Sequence, residues 1–163
     1  MLLMSILFGK VGFKSYLGKP IYISGFKFIF FGNRVRIFPG SRMEALYGGK
    51  IIISDDCSIG QNLHIISYKE ELIIGKKVTI SSNVFISNCD HTFDLSNKHI
   101  MDRPLISRKT YIGDFSFIGY GAVILPGTNL GKNNVVGANS VVRGNFPDNC
   151  VIAGVPAKII KIL

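Results

Sequence analysis

Acidic residues are scarce at the front of this chain: Glu44 is the only one among residues 1–50, against eight Lys and Arg. Over all 163 residues, 10 acids face 19 basic residues, a net charge of +9. Cysteine is also sparse. Three residues, Cys57, Cys89 and Cys150, without close pairing exclude a disulfide framework and point to a reducing compartment. No apolar run approaches the ~20 residues of a membrane-spanning helix. Met1 to Phe8 is apolar but lacks the basic start of a secretory signal. Phosphate-binding Walker loops and Gly-x-Gly-x-x-Gly fingerprints are missing. So are the paired Cys-x-x-Cys or His-x-x-x-His ligands of a closed zinc site, and no metal is expected. The length suggests one domain.

What the chain has is a repeat. Seven consecutive six-residue units run from Ile106-Ser-Arg-Lys-Thr-Tyr through Ile112, Ile118, Ile124, Leu130 and Val136 to Val142-Arg-Gly-Asn-Phe-Pro. Gly follows the leading aliphatic in four of them. A small or polar residue (Thr110, Ser116, Ala122, Thr128, Asn134, Ser140) stands two places before the next aliphatic. Six is not a helical period, and each Gly would cost a helix ~1 kcal/mol. Short strands joined by tight corners fit instead. Alternation along a strand turns the aliphatic and the small residue inward together. Gly or Asn beside them suits a corner that needs positive φ. Three such sides close a triangular coil of eighteen residues, and stability comes from stacking coils ~4.8 Å apart. The expectation is an all-β parallel β-helix.

The same unit continues backwards through Ile74, Ile80 and Ile86, and through Ile53, Ile59 and Ile65. Three extra residues around Tyr68-Lys69-Glu70 should bulge at a corner. Between Ile86 and Ile106 a loop, about residues 87–105, leaves the coil. Insertions in repeat proteins gather on one face, often the binding face. Ile37 and Met43 look like a degenerate first coil. Residues 1–34 are expected to be a basic, aromatic segment capping the coil, residues 35–163 the β-helix, and the last residues a short tail. The preferred reading of the basic segment is an edge whose Phe residues close the core and whose Lys residues protect it. The other reading is a patch for anionic lipid or phosphorylated substrate. No nucleic-acid motif accompanies the charge.

Of the three histidines, His91 stands in the inserted loop between Asp90 and Asp94, either of which could orient its ring. A neutral imidazole near pH 7 suits proton abstraction from a hydroxyl. His64, just before inward Ile65, should face outward and is a weaker candidate. His99 looks solvated. Cys89 with His91 as its base is conceivable, but no third partner is singled out by spacing.

The hexads, the loop Asp90-His91-Thr92-Phe93-Asp94, the stretch Ile112-Gly-Asp-Phe-Ser-Phe-Ile-Gly-Tyr-Gly-Ala-Val-Ile-Leu-Pro-Gly and the ending Ile152-Ala-Gly-Val-Pro-Ala-Lys158 together resemble the hexapeptide-repeat acyltransferases. Within that family they are most similar to bacterial O-acetyltransferases of lipopolysaccharide O-antigen or capsule, and to the maltose and galactoside enzymes. The resemblance covers about residues 35–161. It implies a left-handed coil and a homotrimer with active sites between subunits. It implies acetyl-coenzyme A as donor and His91 as general base toward a sugar or lipid-linked oligosaccharide hydroxyl. The Tyr120 backbone N–H would hold the oxyanion. Cofactor contacts would come from Phe117 (where relatives often carry Trp, which this chain lacks), Gly119, Tyr120, Gly137, Ala138, Arg143, Lys158 and Lys161. Gln61 and Asn88 would meet the acceptor. A cytoplasmic enzyme, peripheral at the inner membrane face, follows from such an acceptor. The alternatives are an N-acetyltransferase on an amino-sugar nucleotide and a non-enzymatic scaffold.

Overall fold

The computed structural model describes residues 7–93, 95 and 97–163. Strands arrive in threes, one per side of a triangular prism. The first coil holds β1 (Lys10–Val11), β2 (Tyr16–Leu17) and β3 (Tyr22–Ser24), and the second β4 (Ile29–Phe31), β5 (Arg36–Ile37) and β6 (Arg42–Leu46). Then come β7 (Lys50–Ile53), β8 (Ser58–Ile59) and β9 (His64–Tyr68), followed by β10 (Glu71–Ile74), β11 (Thr79–Ile80) and β12 (Phe85–Ser87). A hairpin, β13 (Cys89–His91) and β14 (Leu105–Ser107), interrupts the coil. Winding resumes with β15 (Thr110–Ile112), β16 (Phe117–Ile118) and β17 (Val123–Ile124), then β18 (Asn129–Leu130), β19 (Val135–Val136) and β20 (Val141–Val142). The end is formed by β21 (Asn145–Phe146), β22 (Cys150–Gly154) and β23 (Ala157–Ile162).

Each side is a parallel sheet: β1-β4-β7-β10-β15-β18-β21 on the first face, β2-β5-β8-β11-β16-β19-β22 on the second, and β3-β6-β9-β12-β17-β20 on the third. The fold is a left-handed parallel β-helix. Its core is the column of leading aliphatics. Ile53, Ile74, Ile112 and Leu130 stack on the first face, Ile59, Ile80, Ile118 and Val136 on the second, and Ile65, Ile86, Ile124 and Val142 on the third, all fully buried. The small inward slot is polar for a reason. Thr128 Oγ1 donates to the Leu125 carbonyl at 2.6 Å and lies 3.0 Å from the Val142 carbonyl one coil away, so a buried hydroxyl ties successive corners.

The corner glycine has a different role from the one its sequence position suggests. Gly113 and Gly119 do not adopt positive φ; that conformation falls two residues on, at Phe115 (φ 62°) and Gly121 (φ 68°). Gly113 is required by close approach. A Cβ there would lie 2.2 Å from the Gly131 carbonyl oxygen in the coil above.

Three further findings revise the expected boundaries. The coil begins earlier than Ile37: β1, β2 and β3 already pair in register with β4, β5 and β6, so no sheet breaks at residue 34. Phe8 packs edge-on to Phe26 and beside Phe31, with ring centroids 5.1 and 5.2 Å apart, closing the open end of the core. Ile106 is not an inward residue. It is exposed, because β14 pairs antiparallel with β13 outside the coil. The C-terminal tail is a strand: β23 turns back after the cis Val155–Pro156 bond and pairs antiparallel with β22.

Candidate active site

The inserted loop is rooted by Asn88. Its side chain is fully buried at the corner after β12. Oδ1 accepts from the Tyr68 amide at 2.7 Å, while Nδ2 donates to Ser67 Oγ at 3.1 Å and the Glu70 carbonyl at 3.0 Å. The Asn88 carbonyl in turn accepts from the Arg108 amide at 2.8 Å, where the chain returns. With its amide spent on the Tyr68–Glu70 turn, Asn88 is a structural residue here rather than an acceptor contact.

From that root, β13 carries His91 outward, paired with Leu105 of β14. Its Nδ1 lies 3.4 Å from the Arg103 carbonyl. A carbonyl can only accept, so a hydrogen bond here is donated by Nδ1, and the neutral tautomer that makes it carries its lone pair on Nε2. Asp90 does not orient the ring. Its carboxylate instead faces Arg143, with Nη2 to Oδ2 at 3.4 Å. Asp94 lies outside the described residues.

Beneath the loop is a cavity of about 390 Å³ lined by His91, Cys89, Ser87, Phe85, Glu44 and Arg42, with apolar walls from Leu46, Ile66, Phe93, Ile100, Met101 and Leu105. Its floor is the outer surface of the third face. Arg42, His64 and Phe85 occupy one outward row across β6, β9 and β12, and Glu44, Ile66 and Ser87 the next. Glu44 is largely shielded, its side chain 12% accessible, with Arg42 Nε at 2.7 Å and His64 Nε2 at 3.6 Å. The His64 ring stands edge-on to Phe85 at 5.1 Å. These residues were missed as a group because steps of 22 and 21 residues separate their coils, so the six-residue period alone does not align them.

Burial is the first cause that holds His64 below its ordinary pKa, and neighbouring Arg42 adds to it; Glu44 pulls the other way. The folded value being depressed, the unfolded chain binds the proton first as pH falls. The stabilising contribution is complete above the unfolded value of about 6.5 and is lost below it. Melting temperature should therefore fall more steeply between about pH 7 and 5 in the parent than in His64→Gln. Parallel profiles would clear His64 of that role.

The other expected residues split between two edges. Phe117 is exposed on the second face. Gly119 and Tyr120 form the corner that follows it. A Cβ on Gly119 would lie 2.7 Å from the Ala138 amide nitrogen, so Gly119 stacks directly against Gly137 and Ala138. Among the described residues the Tyr120 N–H has no partner, whereas the equivalent Lys76 and Lys132 amides at another corner are capped by Asp114 and Asp148. The Tyr120 hydroxyl accepts from Asn83 Nδ2. Lys158 and Lys161 are exposed on β23 beside the second face. Arg143 instead shares the edge that bears Asp90. Gln61 is exposed at the corner between β8 and β9 and does not line the cavity. His99 accepts from the Met101 amide at 3.2 Å and starts the short 3-10 turn Ile100–Asp102. Burial raises the Cys89 thiol above its ordinary pKa, which disfavours a nucleophilic thiolate. Cys57 is pushed up to about 11 by burial, as befits a core residue. Among the described residues, no three His, Cys, Asp or Glu side chains converge as a metal site.

Comparison with known proteins matches residues 109–144 to the family described as bacterial transferase hexapeptide (six repeats). WbbJ of Escherichia coli strain K12, assigned to lipopolysaccharide biosynthesis as an O-acetyl transferase, is 41% identical over 149 residues, spanning 87% of this chain and 76% of that protein. The N-acyltransferase AntD of Bacillus cereus, solved with dTDP and 3-hydroxybutyryl-CoA, superposes with a TM-score of 0.86 at 23% identity, covering 99% of this chain and 86% of the other, and so shares the fold. A hexapeptide-repeat acetyltransferase of Vibrio cholerae O1 biovar eltor, solved with acetyl coenzyme A, gives a TM-score of 0.62 at 28% identity, covering 99% and 75%. Identity of 41% along most of both chains, on the coil built by these hexads, shows that the chain belongs to the hexapeptide-repeat acyltransferases.

Proposed function

We propose that this protein is an O-acetyltransferase. It moves an acetyl group from acetyl-coenzyme A to a sugar hydroxyl of a surface polysaccharide, O-antigen or capsule, or of its precursor. The observation that carries this reading is His91 at the cavity wall, with its Nδ1 turned to the Arg103 carbonyl and its Nε2 left as a base. Nε2 takes the proton of the acceptor hydroxyl as that oxygen attacks the thioester carbonyl. The tetrahedral oxyanion is held by the Tyr120 N–H, which is unpaired among the described residues, a kind of donor worth ~3 kcal/mol of barrier. Collapse forms the ester and expels the thiolate of coenzyme A, which recovers the proton from the imidazolium.

A second copy of the chain completes this arrangement. Tyr120 lies at the corner between the second and third faces, and His91 lies past the corner between the third and the first. At ~3.3 Å per residue, a side of five or six residues holds them on the order of 15–20 Å apart. Reacting atoms must approach to about 3–3.5 Å. In a homotrimer, the Tyr120 corner of one subunit would meet the His91 edge of the next. The Gly119–Ala138 stack gives close backbone approach for pantetheine beside Phe117, and Lys158, Lys161 and Arg143 would meet the phosphates. Similarity to WbbJ and to the acetyl-coenzyme A-bound Vibrio enzyme supports donor and acceptor class alike. A lipid-linked acceptor would keep the enzyme in the cytoplasm, at the inner membrane face.

The test is transfer from labelled acetyl-coenzyme A to sugars, sugar nucleotides and lipid-linked oligosaccharides. The expected product is an alkali-labile ester on a polysaccharide precursor. An alkali-stable amide on an amino-sugar nucleotide would make the protein an N-acetyltransferase. Binding without any transfer would favour a scaffold.

A further inference from the structure

The strands β1, β2 and β3 stand first in their three sheets, so their outer edges form one end of the prism. All three corners of this terminal coil carry the same pairing of an apolar side chain with a lysine. Phe13, 71% exposed, adjoins Lys14, whose Nζ lies 5.3 Å from its ring centroid. Ile21, 75% exposed, follows Lys19 across Pro20. Lys27 lies over Phe28 at 5.2 Å. Leu7, 55% exposed, precedes β1, whose first residue is Lys10.

Charge at this end is uncompensated. The chain has no Asp or Glu before Glu44. Arg34 and Arg42, one coil further in, are engaged by Asp56 and Glu44. Among the described residues, Lys10, Lys14, Lys19 and Lys27 have no ion-pair partner. Of the rim's apolar side chains Phe28 packs against the core, whereas Leu7, Phe13 and Ile21 stand exposed. Among the described residues Phe8 and Phe26 plug the interior, and Phe13 and Ile21 are not part of the core.

We infer that this end of the prism docks on an anionic lipid bilayer, with Phe13, Ile21 and Leu7 entering the headgroup boundary and the four lysines meeting lipid phosphates. A partner of one sign of charge is selected by a surface of the other. An apolar rim needs a partner with an apolar interior, which a bilayer offers and a nucleic acid does not. Each lysine near an anionic membrane surface is worth roughly five-fold in affinity. Four lysines with an apolar rim therefore give binding that salt weakens strongly without abolishing it. The inference rests on the proposed function only in giving the acceptor a lipid anchor, and its test reads binding rather than turnover, so the two can fail separately.

The experiment is co-sedimentation of the full chain with phosphatidylcholine vesicles, with and without phosphatidylglycerol. Binding should require the anionic lipid and weaken steeply above about 0.1 M salt, where the Debye length drops below ~10 Å. A variant with Lys10, Lys14, Lys19 and Lys27 all replaced by Gln should bind at least a hundred-fold more weakly. Phe13→Ser with Ile21→Ser should remove the portion that persists in high salt. These side chains lie at the exposed rim, and circular dichroism checks that each variant keeps its fold. Equal binding to neutral vesicles, no binding to either, or variants that bind like the parent would overturn the inference. So would light scattering that shows the same substitutions abolishing end-to-end stacking of the protein without vesicles, or tighter binding to duplex DNA than to lipid.

Discussion

Replacing His91 with alanine should lower acetyl transfer at least a hundred-fold and leave the fold in place. General-base action contributes roughly a hundred- to ten-thousand-fold to such a step, because the hydroxyl must lose its proton as it attacks. The imidazole contributes little to stability. Among the described residues its one hydrogen bond is long, 3.4 Å to the Arg103 carbonyl, and its ring is only half-buried at the cavity wall. The β13–β14 pairing and the bond from the Thr92 amide to the Pro104 carbonyl at 3.0 Å hold the loop without it. Steady-state kinetics on His91→Ala should therefore show kcat falling, KM for acetyl-coenzyme A nearly constant, and the melting temperature shifted by no more than a few degrees. His91→Gln should be as slow as the alanine variant, since an amide donates and accepts hydrogen bonds but does not take up a proton near pH 7. Turnover at the parental rate in either variant would dismiss His91 as the base.

The regular part of the fold was legible from Ile53 to Val142 because the leading aliphatics repeat on a step of six within each coil, and those rows are buried except at Ile106. The first coil was not legible. Leu17 pairs with Ile37 and Ile37 with Ile59, steps of 20 and 22 that break the count. Ile106 matched the period yet lies outside the coil, since strand pairing with β13 was not encoded in spacing. At the site, His91 stood out by its place in an insertion, whereas the group that orients it did not. The sequence offers neighbouring Asp90, but successive residues of a strand point to opposite sides, and its carboxylate meets Arg143. Among the described residues the atom facing Nδ1 is a backbone oxygen twelve residues away, which no side-chain pattern announces. Glu44 and Arg42 reach the cavity only because whole coils stack.

Asn88→Ala should cost about 3 kcal/mol of stability, the sum of three hydrogen bonds at ~1 kcal/mol each. The loss is not softened by water. Asn88 is fully buried, so the Tyr68 amide would be left facing a cavity, while the Glu70 carbonyl still accepts from the Lys50 amide and Ser67 Oγ still donates to one of the Lys50 and Glu70 carbonyls. For a chain of this length that free energy lowers the melting temperature by roughly 6–12 °C. Asn88→Asp should do no better, although it restores an acceptor for the Tyr68 amide, because an ionised carboxylate is costly to bury there and a protonated one offers a single O–H where the amide made two donations. Activity should fall with the population of folded loop, and KM for the sugar should hold in the fraction that stays folded. The contrary result is equally plain. A parental melting temperature joined to a raised KM for acceptor alone would mean that Asn88 turns out of its corner to touch substrate, and that the loop is rooted elsewhere.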